Sequence, residues 1–398
     1  MRMTLLMTAG LERPPGMRYL PIARELVRRG HEVRILALHH DLEQCQRRRF
    51  VQEGVEVWYV GQMHARKRGS VPVRHGRWEL LRVVIGASWG MFRAILASPA
   101  DVYHLCKPQP INGLAALAGV MLWQGQRFYV DCDDDEVHSN IFTAAWQRWV
   151  FAFWQWLLPR IAAGVTVNTH VQAARLQQQG VNNLVYVSNG VDLAQYQAPA
   201  PRMQQGLRAA LGLQHQPVMI YAGSLVCKNH PVDLLIAAMP LVVAQIPDVR
   251  LLIVGGGEDL PVLQQQTRQA GLDRHIRFVG RQPSASIPLW LSLAQLSIDP
   301  VYDDPVGRAR SPLKLFESMA MGVPVVTGDV GDRAMLLDDG RAGVLVPAGD
   351  AAALARGMLG LLESPERRQQ LAQASLARVR AFRWCRVAAQ WESVYHRR

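Results

Sequence analysis

Short apolar runs alternate with helical patterns along almost the whole chain, and the alternation comes in two successive series. In the first series, residues 4–7, 33–38, 55–60, 102–105, 128–130, 165–167 and 184–187 read as strands. Helical spacing separates them, as at Leu20, Ala23, Leu26 and Val27 ahead of Gly30. Residues 192–216, rich in Ala, Gln and Pro, interrupt the pattern, and strands resume at 218–222, 249–254, 276–279, 296–299, 323–327 and 343–346. A strand–helix beat of this kind specifies a parallel sheet covered by helices on both faces. The reading is an α/β fold of two Rossmann-like, doubly wound domains facing across a cleft. The first domain spans residues 1–192, the linker 193–216 and the second domain 217–382. Ligands of such sheets sit at the carboxyl ends of the strands, so a cleft between two of them is the expected site. The last segment, 383–398, places Trp384, Val387, Trp391 and Tyr395 on one helical stripe, which is expected to cross back and dock on the first domain.

Composition narrows the function. With 398 residues, 49% hydrophobic and 19% charged, the chain can fill two cores and is not disordered. No run of roughly 18 apolar residues is evident, and the best stretch, 149–158, is short and closed by Pro159 and Arg160, so no membrane-spanning helix is expected. The first residues lead into a strand and lack the pattern of a signal peptide. Five scattered cysteines without CxxC spacing point to a reducing compartment and away from a zinc site. The net charge of +12 suits nucleic acid, an anionic membrane face or a phosphorylated substrate. Only four of the 44 basic residues are lysines, namely Lys67, Lys107, Lys228 and Lys314, so each was used against a strong bias toward arginine.

The most informative stretch is 308–326. Ser311 followed by Pro312 reads as a helix start, with Ser311 as N-cap and Pro312 in the first turn; Gly322 ends the helix ahead of a strand. The opening amides, including those of Leu313 and Lys314, form an anion cradle. Lys314 sits where the helix dipole disfavours a cation, and a bound anion would reverse that sign. Glu317 follows on nearly the same face, where a carboxylate can hold the vicinal diol of a ribose. Cradle, cation and acid within one turn describe a seat for a nucleoside diphosphate. A surface helix with an ordinary Lys–Glu pair is the plainer alternative.

This helix resembles the donor-binding helix of family 4 (group 1) retaining glycosyltransferases of the GT-B fold. Further landmarks of that family follow in order. They are Arg29-Gly30-His31-Glu32-Val33, Ser188-Asn189-Gly190-Val191-Asp192, Ala222-Gly223-Ser224 leading to Lys228-Asn229-His230, Val254-Gly255-Gly256-Gly257, and Val279-Gly280. The resemblance implies that Lys228 contacts the donor phosphates, that Glu317 binds the ribose, and that the backbone at Gly280 and Arg281 meets the base; the helix start itself makes Lys314 a second phosphate contact. It also implies retention without an enzymic nucleophile and without a metal. Two positions depart from the family pattern: Ala309 stands where a glutamate is usual, and Ser224 where an arginine is usual. Arg308, Arg310 or Lys314 are the candidates to supply the missing charge.

Three further features bear on the acceptor. Asp131-Cys132-Asp133-Asp134-Asp135-Glu136 follows a strand, and the resemblance places a catalytic or acceptor-binding acid there, Asp133 or Asp134. A metal-binding DxD pair or plain solvated acids are the alternatives. The turn-rich loop 10–16 resembles the family's glycine-rich loop and makes Gly16 a candidate substrate contact; Lys107 also ends a strand and is placed near the acceptor. Finally, Trp146, Trp149, Phe153, Trp154 and Trp156 share one helix, and ten Lys/Arg against three Glu lie between Arg47 and Arg93. Such a surface suits an anionic membrane, although helical spacing should turn at least half of those aromatics inward. No P-loop, HExxH, GxSxG or dinucleotide fingerprint occurs.

The expected function is transfer of a hexose from a nucleoside-diphosphate sugar to a saccharide or lipid-linked acceptor. No cofactor and no nucleic acid are expected, and the place of action is the cytoplasm, peripheral on the inner membrane face. A nucleotide-sugar epimerase of the same fold, or a non-catalytic nucleotide- or nucleic-acid-binding protein, are the competing readings.

Overall fold

The computed structural model describes residues 1–64, 66–68, 71–73, 76–213 and 215–396; the side chains of 66–68, 71–73 and 77 lie outside that description. Met1–Ser188 with Trp384–Arg398 forms one compact unit, and Asn189–Arg383 forms the other.

The first unit is built on strands β1 (Arg2–Met7), β2 (Glu32–His39), β3 (Arg49–Gln52) and β4 (Val55–Gln62). A separate antiparallel hairpin, β5 (Arg66–Arg68) and β6 (Val71–Val73), comes next. The sheet is completed by β7 (Val102–Cys106), β8 (Tyr129–Cys132), β9 (Gly164–Val167) and β10 (Leu184–Tyr186). Its order is β10-β9-β8-β7-β1-β2-β4-β3, parallel throughout except for β3 against β4. Each sequence-predicted strand is present. β3 and the hairpin were not foreseen, because Arg49–Gln52 is short, polar and largely exposed and so carries no apolar periodicity. The strands buried on both faces read as continuous Val/Ile/Leu runs, as parallel sheets require: Leu5, Leu6, Ile35, Leu36, Leu105 and Val130 are all fully inside.

The second unit has strands β11 (Val218–Ala222), β12 (Arg250–Val254), β13 (Ile276–Gly280), β14 (Leu296–Asp299), β15 (Val325–Gly328) and β16 (Val344–Val346). All six are parallel, in the order β13-β12-β11-β14-β15-β16. Residues 193–216, read from sequence as a linker, carry a helix at Pro201–Ala210 and belong to this unit. Tyr196 and Leu213 join its core. Apolar side chains spaced irregularly among Ala, Gln and Pro had hidden that packing.

Each sheet has a switch point where the strand order reverses. It lies between β1 and β7 in the first unit and between β11 and β14 in the second. Neighbouring crossovers leave in opposite directions at such a point, which opens a crevice at the carboxyl edge. The segments placed there are 8–16 and 107–109 in the first unit, and 223–230 with 300–312 in the second.

The helices of the first unit begin with α1 (Gly16–Arg28), α2 (Arg77–Ala97), α3 (Pro110–Ala115, continued as a π-helix over Ala116–Trp123) and α4 (Glu136–Ser139). They are followed by α5 (Ala145–Ile161) and α6 (His170–Gln178). Helix α2 corrects the expectation that no helix is apolar and long enough to cross a bilayer, since Trp78–Ala97 meets both criteria. It nevertheless packs on the sheet. Ala87, Met91 and Ile95 are buried, and Gly90 lies so close to the Val60 carbonyl that a Cβ would overlap it.

The terminal helix Trp384–Glu392 packs against α1. Trp391 is fully buried, stacks on His104 at 4.2 Å, meets Tyr19 edge-on and donates from Nε1 to the Tyr395 hydroxyl at 2.7 Å. Glu392 pairs with Arg29 at 2.6 Å and His31 at 2.9 Å. Truncating so large a buried ring leaves a cavity that neighbours cannot fill. Trp391→Ala is therefore expected to cost about 3–5 kcal/mol of unfolding free energy in denaturant titration, with Glu392→Gln costing far less because that pair is near the surface.

Candidate functional site

In the second unit, chemistry concentrates at the crevice between β11 and β14. Asp299, the last residue of β14, is buried and accepts from Lys314 Nζ at 2.9 Å and Arg333 Nε at 3.0 Å. Burial alone would raise its carboxyl, but those two cations overcome it and hold Asp299 well below the usual carboxylate range. Arg310 bonds the Asn229 carbonyl and donates at 2.8 Å to His230 Nε2. Burial and the nearby cations keep His230 neutral. Lys314 also lies 4.4 Å from the centre of the Tyr221 ring. Its pKa is lowered, first by burial and then by Arg310 and Arg333, despite the contact with Asp299. Lys314 and Arg333 thus share the one Asp299 carboxylate.

The helix opening on this group runs Leu313–Ala320, with Pro312 as N-cap. This corrects the predicted cap. Ser311 lies one residue before it, and the Ser311 hydroxyl is buried with no hydrogen-bond partner among the described residues. The Ser311 carbonyl accepts from Asn189 Nδ2 at 2.6 Å. One turn into the helix, Glu317 Oε1 accepts from the Tyr196 hydroxyl at 2.7 Å, and burial raises the Glu317 pKa. The β11, β12 and β13 ends interlock through backbone. Gly223 N donates to Val254 O and Gly255 N to Gly280 O, and a Cβ on Gly255 would overlap the Gly223 carbonyl. Gly280 has φ +80°, a conformation that favours glycine.

In the first unit, the ends of β7 and β8 bring three acids onto one lysine. Lys107 Nζ lies 3.2 Å from Asp133, 2.7 Å from Asp134 and 2.9 Å from Glu136. Lys107 adopts φ +85°, a strained conformation for a side-chain-bearing residue. Burial dominates at Asp133; Lys107 pulls its pKa down and Asp134 pushes it up, and the balance lifts it to about 7. Asp131, fully buried beneath this cluster, accepts from Arg18 Nε at 3.0 Å, the Tyr19 hydroxyl at 2.9 Å and Thr166 Oγ1 at 2.5 Å. Arg18 also donates to the carbonyls of Val187 and Ser188.

Residues 216–364 match the family described as glycosyl transferases group 1, and residues 15–190 match the glycosyl transferase 4-like domain. The chain belongs to the group 1 (family 4) glycosyltransferases. The chain is 33% identical over 225 residues to a phosphatidyl-myo-inositol mannosyltransferase of Mycolicibacterium smegmatis, covering 56% of this chain and 54% of the relative. It is 29% identical over 221 residues to a D-inositol 3-phosphate glycosyltransferase of Corynebacterium aurimucosum, covering 54% and 51%. The chain thus spans about half the length of these curated relatives. Among solved structures, sucrose-phosphate synthase from Thermosynechococcus elongatus superposes with a TM-score of 0.78 at 20% identity, covering 100% of this chain and 98% of the other. Anabaena HepE, solved with UDP and glucose, gives 0.72 at 17% identity, covering 99% of each. The fold is GT-B.

Set against this group 1 geometry, the sequence-derived residues separate. Arg310, Ser311, Leu313, Lys314 and Glu317 gather at the crevice with Ser224, whose carbonyl accepts from Tyr221 at 2.7 Å. Lys228 is exposed in the turn after β11, and Arg281 is exposed beside Gly256. Arg308 does not replace the charge expected near Ala309, because it lies at the surface paired with Asp303 at 2.6 Å. Gly16 is explained by packing: its amide donates to Arg13 O, and a Cβ would overlap the Leu11 carbonyl. Sequence reasoning missed Asp299 and Arg333, which flank the 308–326 motif on either side, and Tyr196, which lies 121 residues from Glu317. The only signal for Asp299 was an acid closing a predicted strand.

The Asp133 shift has a measurable sign. Unfolded, the carboxyl titrates near 3.8; folded, near 7. Between those values the unfolded state releases the proton first, so stability falls as pH rises through that window. Thermal unfolding from pH 4 to 7 should show the fall, and Asp133→Asn should flatten it.

Proposed function

We propose that the protein transfers a hexose from a nucleoside-diphosphate sugar to a saccharide or lipid-linked acceptor, with retention and without a metal in the chemical step. The carrying observation is that two cations, Lys314 and Arg333, share the single Asp299 carboxylate, set beside the Ser311 hydroxyl, which is without a hydrogen-bond partner among the described residues, and the opening amides of the Leu313–Ala320 helix. A diphosphate supplies further negative charge, and these groups are already in place where charge develops as it leaves. Lys228 adds a cation from the β11 turn. Glu317 Oε1 is fixed by Tyr196, and Oε2 accepts no hydrogen bond among the described residues, so one oxygen is available to a ribose diol. Gly280 and Arg281 border the base.

In the reaction, the bond from the anomeric carbon to the phosphate oxygen breaks and the acceptor oxygen bonds to that carbon. The acceptor proton passes to the leaving phosphate oxygen, and Asp133 orients the acceptor hydroxyl. The three carboxylates near Asp133 converge on the Lys107 ammonium, so a divalent ion there would have to displace it; this favours an acceptor role for the cluster over a metal one.

A membrane-borne acceptor is supported by the surface of α2, α3 with its π-helix, and α5, which pack side by side. Of the six α5 aromatics only Trp154 is buried, against the expected half or more, and Trp149 is 78% exposed. Trp78, Leu81, Ile85 and Trp89 project from α2, and Leu122 and Trp123 from the end of the π-helix. Exposed arginines, including Arg82, Arg93, Arg127 and Arg148, accompany them. Exposed apolar rings with cations beside them fit the interfacial zone of an anionic bilayer. The basic residues Arg66, Lys67 and Arg68 lie, as side chains, outside the described residues.

Two experiments test the reading. Isothermal titration with UDP and GDP should show binding in the presence of EDTA, weakened by about 1.5–3 kcal/mol in Lys228→Ala, with sugar transfer lost in Glu317→Ala and the product anomer matching the donor by NMR. No binding of any nucleoside diphosphate would refute the donor site. Co-sedimentation with anionic vesicles should fall several-fold in Trp89→Ser/Trp149→Ser; undiminished binding would remove the aromatic face from the account.

A further inference from the structure

The loop preceding α1 is tied to the end of β2 by a side-chain cluster unconnected with the groups above. Glu12 comes from the loop, His39 ends β2, His40 follows it, and Tyr59 stands on the neighbouring strand β4. One nitrogen of each imidazole and one Glu12 carboxylate oxygen lie within 4.8 Å of one another. His40 Nδ1 is 2.8 Å from Glu12 Oε1, and the two rings lie 4.5 Å apart.

The surroundings hold each of these groups in a ligating state. His39 Nδ1 lies against the Asp41 backbone, 2.5 Å from its carbonyl oxygen and 3.1 Å from its amide nitrogen, which anchors the ring through that edge. A backbone contact that orients the ring in this way is a usual support of a metal-bound histidine. The Tyr59 hydroxyl donates to Glu12 Oε2 at 3.2 Å, leaving Oε1 toward the histidines. Gln62 clamps the turn from β4, donating to His40 O and accepting from Leu42 N, each at 2.8 Å. Gly10 leaves the space into which the Glu12 carboxylate folds, since a Cβ there would overlap it. The cluster is partly exposed, so an ion can enter and keep water ligands.

We propose that Glu12, His39 and His40 bind a zinc-class divalent cation that clips the 10–16 loop to the end of β2. Two imidazoles and a carboxylate with a water in the remaining position form a donor set for Zn²⁺ or Co²⁺, and are a poor match for Mg²⁺ or Ca²⁺, which take oxygen ligands. The ion takes the place of the proton between His40 Nδ1 and Glu12 Oε1, and that proton moves to His40 Nε2. Its role is structural, and it stands whether or not the glycosyl-transfer reading holds.

The test uses the full chain stripped with a chelator and titrated with Zn²⁺ by calorimetry and with Co²⁺ by visible absorption. One ion per chain is expected. Affinity should fall at least tenfold in Glu12→Gln, whose exposed position spares the fold, and binding should vanish in His39→Ala/His40→Ala. Tyr59→Phe should weaken binding by less, and Zn²⁺ should slow hydrogen exchange of amides 10–16. Absence of saturable binding overturns the proposal, as does binding that survives in the double histidine variant. Binding lost in Asp134→Asn while kept in that double variant would place the ion at the acidic cluster and overturn it as well.

Discussion

The second unit is organised around one buried carboxylate. Asp299 closes β14 at the switch point and holds Lys314 and Arg333, which come from different segments after it. Removing Asp299 would leave two cations facing each other in a site of low polarity, an arrangement that costs several kcal/mol. With Asp299 present, two cations share one carboxylate, and burial, followed by Arg310 and Arg333, depresses the pKa of Lys314. The same interaction therefore keeps the crevice folded while holding its cations inside it.

The first unit solves a related problem with opposite sign. Three acids meet at the carboxyl edge, and Lys107, held at positive φ, provides the counter-charge from within. Below them the Asp131–Arg18 pair reaches the carbonyls of Val187 and Ser188, the last residues of the unit before the chain leaves it. Arg18 also lies 5.7 Å from the Trp391 ring of the returning terminal helix. The exit strand and the terminal helix thus meet at one buried ion pair, in which the loss of either member leaves its partners unsatisfied.

Much of this was legible in the residues. Parallel strands announced themselves as Val/Ile/Leu runs, and the Trp384, Val387, Trp391, Tyr395 stripe marked a docking helix. The 308–326 stretch named the helix that opens on the crevice. What escaped were partners separated in sequence: Asp299 with Arg333, Glu317 with Tyr196, Glu12 with His40. The α5 aromatics were misjudged because spacing reveals a stripe without saying which side is wet. Tertiary packing buried Trp154 alone and left Trp146, Trp149, Phe153 and Trp156 outside. The apolar character of α2 was likewise overlooked, since Arg82 and Arg93 break the run when read linearly although they occupy its outer side.

By itself, then, the sequence determined the periodicity, and periodicity decides what can pack: two doubly wound sheets, their carboxyl edges, and a helix whose first amides face a crevice. Those features depend on neighbours within a few residues. Tertiary structure decided the charge state and availability of each site group, because these depend on which distant side chains arrive beside it and on how much water they exclude. Lys314 is the clearest case. The motif places it at the helix start, but only the arrival of Asp299 and Arg333 from other segments makes it a buried cation sharing one carboxylate.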